Sequence, residues 1–376
     1  MLRSNKKRIV VVSHEASNTG APLLLIQLLK FIESNYDCVF EIVISRGGPL
    51  ETEFKKLGKV FVLKPEGYSN SRGFHRFRLI LNNRIRLLNV FGVAAKSDVI
   101  FCNSIINGEI IKWLRYTRKP IYTYVHELEQ VIRMYLQSGH IRPTLKYTNT
   151  FFYPCNKVRD TLINSFGVDE SKLARLNYYF PLHLFENRPD LQSSNHKEFR
   201  FCGIGTASYR KGTDLFIAIA RDICQKKPGY KFVWIGGFES NEDAKKYKQL
   251  ANVDGYSVVE FVGPMEPGQV RLQYSKYDAL ILTSREDPYP LVVLEAAYNK
   301  KASFVFKDSG GVYEFVNDCG WVLSQFSTDK MADCILSLTK DNLCERGLLA
   351  YEKAIEMHSS TNLLEEQLFF LKRNKE

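Results

Sequence analysis

The sequence predicts an α/β chain made of two doubly wound domains, each a parallel sheet flanked by helices. Three observations carry that expectation. Short β-branched runs alternate with helical segments along most of the chain, the order that produces parallel sheets. A polar, patternless stretch over 186–198 interrupts the alternation once and reads as a linker. The 376 residues are 45% hydrophobic and 25% charged, which supplies core enough for two domains.

In the first domain, taken as 1–185, Arg8-Ile9-Val10-Val11-Val12-Ser13 reads as a buried parallel strand. A loop from His14 to Gly20 leads into the run Ala21 to Leu29, apolar nearly all round and therefore a buried helix. Thr19 or Gly20 can cap it, and Pro22 suits its first turn. Strands follow at 38–45 and 59–63, with a helix near Glu51 to Lys56 between them. Residues 72–86 set five arginines among phenylalanine, leucine and isoleucine. This basic amphipathic segment is either a solvated face or a contact with an anionic membrane surface. No recognition motif accompanies the charge, so nucleic acid is not expected as a partner. Further strands are placed at Asp98–Cys102, Pro120–Val125 and Phe151–Tyr153. Asn103 and His126 then stand at strand ends, where open α/β sheets collect ligands. A lone histidine there is a structural hydrogen-bonder or a site group.

The second domain, taken as 199–355, repeats the pattern. Strands are expected at 199–204, 231–236, 257–262, 278–283 and 302–306, and helices at 213–226, 241–251, 290–299 and 328–338. The first strand runs into Gly203-Ile204-Gly205 and on to Arg210-Lys211-Gly212. Small residues let backbone approach a ligand, and the two cations can meet a diphosphate; otherwise the loop is a surface turn. After strand 278–283 comes Asp287-Pro288-Tyr289-Pro290-Leu291-Val292-Val293-Leu294-Glu295-Ala296-Ala297. This reads as a buried helix with Pro290 at its first position and one internal carboxylate. The amides of its first turn, at Leu291 and Val292, suit a phosphate. Glu295 needs a partner in such apolar company: a neighbouring Lys or Arg, or the hydroxyls of a sugar. Gly310 and Gly311 again permit close backbone approach before a helix. Glu314 is a first-turn residue favoured by the helix dipole or a site group.

An acid, seven residues, then Glu before Ala-Ala resembles the signature of retaining glycosyltransferases of family 4, the group 1 glycosyltransferases. The resemblance implies a GT-B fold: α/β, two Rossmann-like domains with parallel sheets facing across a cleft. It implies a nucleoside-diphosphate sugar, UDP- or GDP-linked, bound mainly by the second domain, and a saccharide or lipid-linked acceptor bound by the first. Asp287 would contact the donor sugar, Leu291 and Val292 the diphosphate, and Glu295 the ribose hydroxyls. Lys211, with Arg210 beside it, would meet the donor phosphates. His126 would stabilise charge at the reacting carbon, and Gly20 would lie near the leaving phosphate. Gly310 and Gly311 would line the same pocket, and Asn103 would meet acceptor hydroxyls. A last helix, 356–376, would cross back to the first domain. Asp287 stands where Glu is commoner in the family, and Gly205 and Thr206 where many members carry a further Arg.

The formal charge of +11 is uneven: residues 1–180 hold roughly 27 Lys and Arg against 14 Asp and Glu, so the first half meets an anionic partner. The eight cysteines form no C-x-x-C pair, so buried free thiols are expected. No D-x-D metal clamp and no zinc spacing occur, hence no metal or resident cofactor is expected. With no leader and no spanning run, a cytoplasmic enzyme, peripheral at the inner face of the membrane, is expected. Cell-surface polysaccharide or lipopolysaccharide assembly would fit. The alternatives are a nucleotide-sugar epimerase or phosphorylase on the same fold, or a non-catalytic basic membrane-binding module.

Overall fold

The computed structural model describes residues 6–64, 85–137, 139–185 and 197–371. They divide into two units, Met1–Phe180 with Thr361–Glu376, and Pro181–Ser360.

The first unit runs β1 (Lys7–Glu15), α1 (Gly20–Asn35), β2 (Cys38–Arg46), α2 (Glu51–Leu57), β3 (Gly58–Lys64), α3 (85–95), β4 (Val99–Asn103), α4 (Gly108–Leu114), β5 (Ile121–Tyr124), α5 (Glu129–Gln137), α6 (Arg142–Tyr147), β6 (Thr150–Tyr153), α7 (Asn156–Phe166) and β7 (Leu173–Arg175). Its seven strands pair in the order β3-β2-β1-β4-β5-β6-β7, all parallel. The β-branched run Ile9 to Val12 is buried on both faces, as a central parallel strand requires.

The second unit runs β8 (Phe199–Ile204), α8 (Thr213–Lys226), β9 (Tyr230–Ile235), α9 (Asn241–Ala251), the short hairpin β10 (Asn252–Val253) and β11 (Tyr256–Ser257), β12 (Val259–Gly263), α10 (Pro267–Gln273), β13 (Ala279–Leu282), α11 (Leu291–Tyr298), β14 (Ala302–Phe306), α12 (Tyr313–Val316), β15 (Trp321–Leu323), α13 (Thr328–Leu336) and α14 (Lys340–His358). Its main sheet has the order β12-β9-β8-β13-β14-β15, again all parallel. In both sheets the strand order reverses once, between β1 and β4 and between β8 and β13. Those are the switch points where ligands of open α/β sheets bind.

Several expectations need correction. The boundary falls at Phe180, ahead of 185, because Phe185 stacks on Tyr298 of the second unit at 4.5 Å. The segment 356–376 is not one helix: α14 ends at His358, and α15 (Thr361–Gln367) follows within the first unit. There Phe370 stacks on Tyr122 at 4.7 Å and on Phe101 at 5.7 Å, and Lys7 Nζ donates to its carbonyl at 2.6 Å. Pro290 lies one place before the helix, with ψ 125° keeping it extended, so Leu291 opens α11. The eight cysteines are free, but only Cys102, Cys155, Cys202 and Cys319 are buried. The arginines of 72–84 and the linker residues 186–196 lie outside the described residues. No helix among the described residues is long and apolar enough to cross a membrane.

Candidate functional site

In the second unit the switch point brings the loops after β8 and β13 together. Gly212 caps α8 in the left-handed region (φ +65°), and a Cβ there would meet the Thr283 carbonyl oxygen at 1.9 Å. Only glycine permits that approach. The contact sets Lys211 beside the β13 loop: Thr283 Oγ1 donates to the Lys211 carbonyl at 3.2 Å, and Arg285 N–H to the Arg210 carbonyl at 2.8 Å. Arg285 also forks onto Asp214 at 2.7 and 2.8 Å and lies over the Tyr209 ring. Lys211 Nζ then donates to Asp287 Oδ2, an ion pair with both side chains mostly buried. Arg210 is exposed and gives one N–H to the Glu286 carbonyl at 2.8 Å.

Asp287 is held from the other side by β14's loop. Its N–H donates to Ser309 O at 2.7 Å, and Gly311 N–H donates to Pro288 O at 2.8 Å. A Cβ on Gly310 would meet Asp287 O at 1.7 Å. Gly310 and Gly311 therefore seat the Asp287 loop by backbone contact. α11 begins four residues later, with no side-chain cap on its first-turn amides at Leu291 and Val292.

Glu295 sits inside α11 with no Lys or Arg within ion-pair distance among the described residues. Its Oε2 lies 3.3 Å from the hydroxyl of Tyr274, which is also 3.0 Å from the Val292 carbonyl. Burial lifts the Glu295 carboxyl to about 7, against the opposing pull of Arg271 and of the Tyr274 hydrogen bond. When Glu295 is protonated it can donate to Tyr274, whose own proton goes to Val292; when ionised it is an acceptor for hydroxyls. Tyr274 was invisible from the motif because it lies on another element, 21 residues upstream.

In the first unit the switch point is bridged by Asn103 and His126. Asn103 is fully buried, and its Nδ2 donates to the Ala21 carbonyl at 3.0 Å, just inside α1. That leaves Oδ1 to accept from His126 Nε2 at 2.8 Å, so Nδ1 carries no proton and accepts from the Tyr178 hydroxyl at 3.0 Å. Burial, with a smaller contribution from His14, depresses His126 to about 3 and keeps it neutral. Each end of the Asn103 amide makes one contact within the protein, and through Oδ1 it positions the histidine. Gly20 opens α1.

Two groups here had no sequence signal. Glu15 accepts from Ser17 Oγ at 2.6 Å, Thr19 Oγ1 at 3.1 Å and Arg46 at 2.7 Å. Its neighbour His14, with Ser17 and Arg46, holds it down to about 2 against the opposing effect of burial. Glu127 gathers the Ser104 hydroxyl and the N–H groups of Ile105 and His126, fixing Ser104 at φ +88°, a strained value for serine. Among the described residues no group of His, Cys, Asp and Glu is placed to hold a metal ion.

Two parallel-sheet units of this kind define the GT-B fold. HepE of Anabaena, in complex with UDP-glucose, matches over 97% of this chain and 99% of its own, with TM-score 0.77 and 17% identity. Sucrose-phosphate synthase from Thermosynechococcus elongatus matches over 98% and 100%, with TM-score 0.72 and 14% identity. Residues 5–150 match the family "Glycosyl-transferase family 4", and residues 186–357 match "Glycosyl transferases group 1". The chain belongs to this glycosyltransferase family. A curated relative, the alpha-galactosylglucosyldiacylglycerol synthase of Streptococcus pneumoniae, is 31% identical over 113 residues, a stretch that is 29% of this chain and 29% of the relative.

Proposed function

We propose that this protein is a retaining glycosyltransferase that moves a sugar from a UDP- or GDP-sugar to a saccharide or lipid-linked acceptor. The observation that carries the reading is the grouping at one switch point of Lys211 on Asp287, the first-turn amides of Leu291 and Val292, and Glu295. Lys211 and the amides would neutralise the leaving diphosphate, in the place a metal takes elsewhere. Glu295 would take the ribose hydroxyls and Asp287 the donor sugar. The bond from the anomeric carbon to the diphosphate breaks as the bond to the acceptor oxygen forms on the same face. The acceptor's proton passes to the leaving phosphate oxygen. No resident cofactor is required by this scheme.

The name of the pneumococcal relative supports a lipid-linked acceptor, and HepE's complex supports a UDP-sugar. Assembly of surface glycans at the inner membrane face is the setting we infer. Calorimetric titration of nucleotide sugars tests the reading. Lys211→Ala should weaken binding of the preferred donor about 10- to 100-fold, the worth of a charged hydrogen bond, with the circular dichroism spectrum unchanged. Unaltered binding by that variant would refute the assignment. Incubation with donor alone separates transfer from epimerisation, since an epimerase needs no acceptor.

A further inference from the structure

Two neighbouring hollows in the first unit share part of their lining and are treated together as one groove. The inner one, about 330 Å³, lies at the carboxyl ends of the strands and is lined by His14, Arg46, Lys64, Asn107, Trp113 and His140 among others. The outer one, about 460 Å³, lies between α4 and α6 and shares Glu109, Trp113 and His140 with the first. The two helices can approach so closely because Gly108 leaves room for the His140 carbonyl, which a Cβ would meet at 1.8 Å.

The inner part has polar atoms left over. Nδ1 of His14 and Oδ1 of Asn107 are buried and lack a partner among the described residues. Asn107 spends its amide protons on the carbonyls of Asn103, at 2.7 Å, and Ser104, so the spare acceptor stands next to the residue that holds His126. Buried orphan groups of this kind are costly unless a ligand or water meets them. The outer part is cationic: Lys112, Arg115, Arg142 and Lys146 line it. Its one carboxylate, Glu109, faces His140 Nδ1 at 3.1 Å. None of the four cations has a carboxylate within ion-pair distance among the described residues. Arg115 is instead held between the rings of Tyr116 and Tyr147, at 4.3 and 4.6 Å, with its fork braced on their hydroxyls. Trp113, which lines both hollows, and Tyr116, stacked on Arg115, are 56% and 62% exposed, an aromatic rim on a basic surface.

We propose that this groove selects a phosphate-bearing acceptor, its phosphate held by Lys112, Arg115, Arg142 and Lys146 and its hydroxyl-bearing end reaching His14 and Asn107. The inference rests on the transferase reading and names the class of its acceptor. A planar guanidinium already fixed by aromatic stacking is well suited to a phosphate, and the exposed aromatic rim suits the headgroup level of a bilayer. The phosphate can belong to a membrane lipid or to a soluble ester, and the test separates the two.

The full chain is sedimented with vesicles of phosphatidylcholine with and without phosphatidylglycerol, and titrated in solution with glycerol 3-phosphate. Binding in at least one arm should fall about 30-fold or more in the Lys112→Ala/Lys146→Ala double variant. Trp113→Ala should weaken the vesicle arm alone if the phosphate is a lipid's. No binding in either arm, or binding that the double variant retains, overturns the proposal. UDP titration of the same proteins reports independently on the second unit: UDP binding kept while both phosphate arms fail removes this inference and leaves the transferase reading standing, whereas failure to bind any nucleotide removes that reading itself.

Discussion

Glu295 is the residue whose environment makes the sharpest demand. Its carboxyl, raised to about 7 by burial, is ionised only as the pH passes that value, and only the ionised form offers four acceptor sites to a diol. Donor affinity should therefore strengthen as pH rises from 6 to 8, and in Glu295→Gln that slope should vanish, which titration calorimetry across the range would register. The stability effect runs the other way. A folded-state value above the unfolded one favours folding at low pH, and the benefit is lost as pH climbs through about 7. Unliganded Glu295→Gln should then melt above the parent at pH 8 and converge with it near pH 5. His126 has the opposite sign: its neutral form is favoured, so its contribution is present above the ordinary histidine range and fades on acidification toward about 3. Asp287 and Glu295 could be found in the sequence because they share one contiguous strand-loop-helix stretch. Tyr274 and Tyr178 could not, because each acts on a site group by contact across elements that carries no spacing rule.

At the scale of elements, glycine positions control where the functional loops stand. Gly310 is pressed against the Asp287 carbonyl, so Gly310→Ala must push the Asp287 loop off Lys211. Overpacking of this kind costs about 1–3 kcal/mol. Urea denaturation of the second unit should show a loss in that range, accompanied by weaker donor binding. The apolar-rich α8 falls on its expected bounds, 213–226, and so does the polar α9 at 241–251, whose start is marked by the Ser240 cap. α14 went unseen as a helix from Lys340 because its face is mixed, although Thr339 and Asn342 form a capping box that marks its start. α5 and α6 were not anticipated: both are short, and Gly139 and Pro143 break up residues 129–147. These two helices cover the first unit's switch-point edge, and α6 builds the basic pocket with α4.

For the whole molecule, the described residues after α15 pack into the first unit. Phe370 is 7% exposed and closes the aromatic stack on Phe101 and Tyr122. Phe370→Ala should destabilise that unit by about 3–5 kcal/mol. Hydrogen exchange would report this as faster opening of β4 and β5, with β8 and β13 unaffected. The charge asymmetry read from composition is also visible at this scale: Lys112, Arg115, Arg142 and Lys146 gather on one groove of the basic half.

The interlock of the loops after β8 and β13 bears on how a donor is greeted. Arg285 on Asp214, Thr283 on the Lys211 carbonyl and Gly212 on the Thr283 carbonyl are contacts among protein groups alone. The cradle's shape is paid for during folding, not at the moment of association. Little loop motion is left to freeze when a diphosphate arrives, so more of the contact enthalpy survives as affinity.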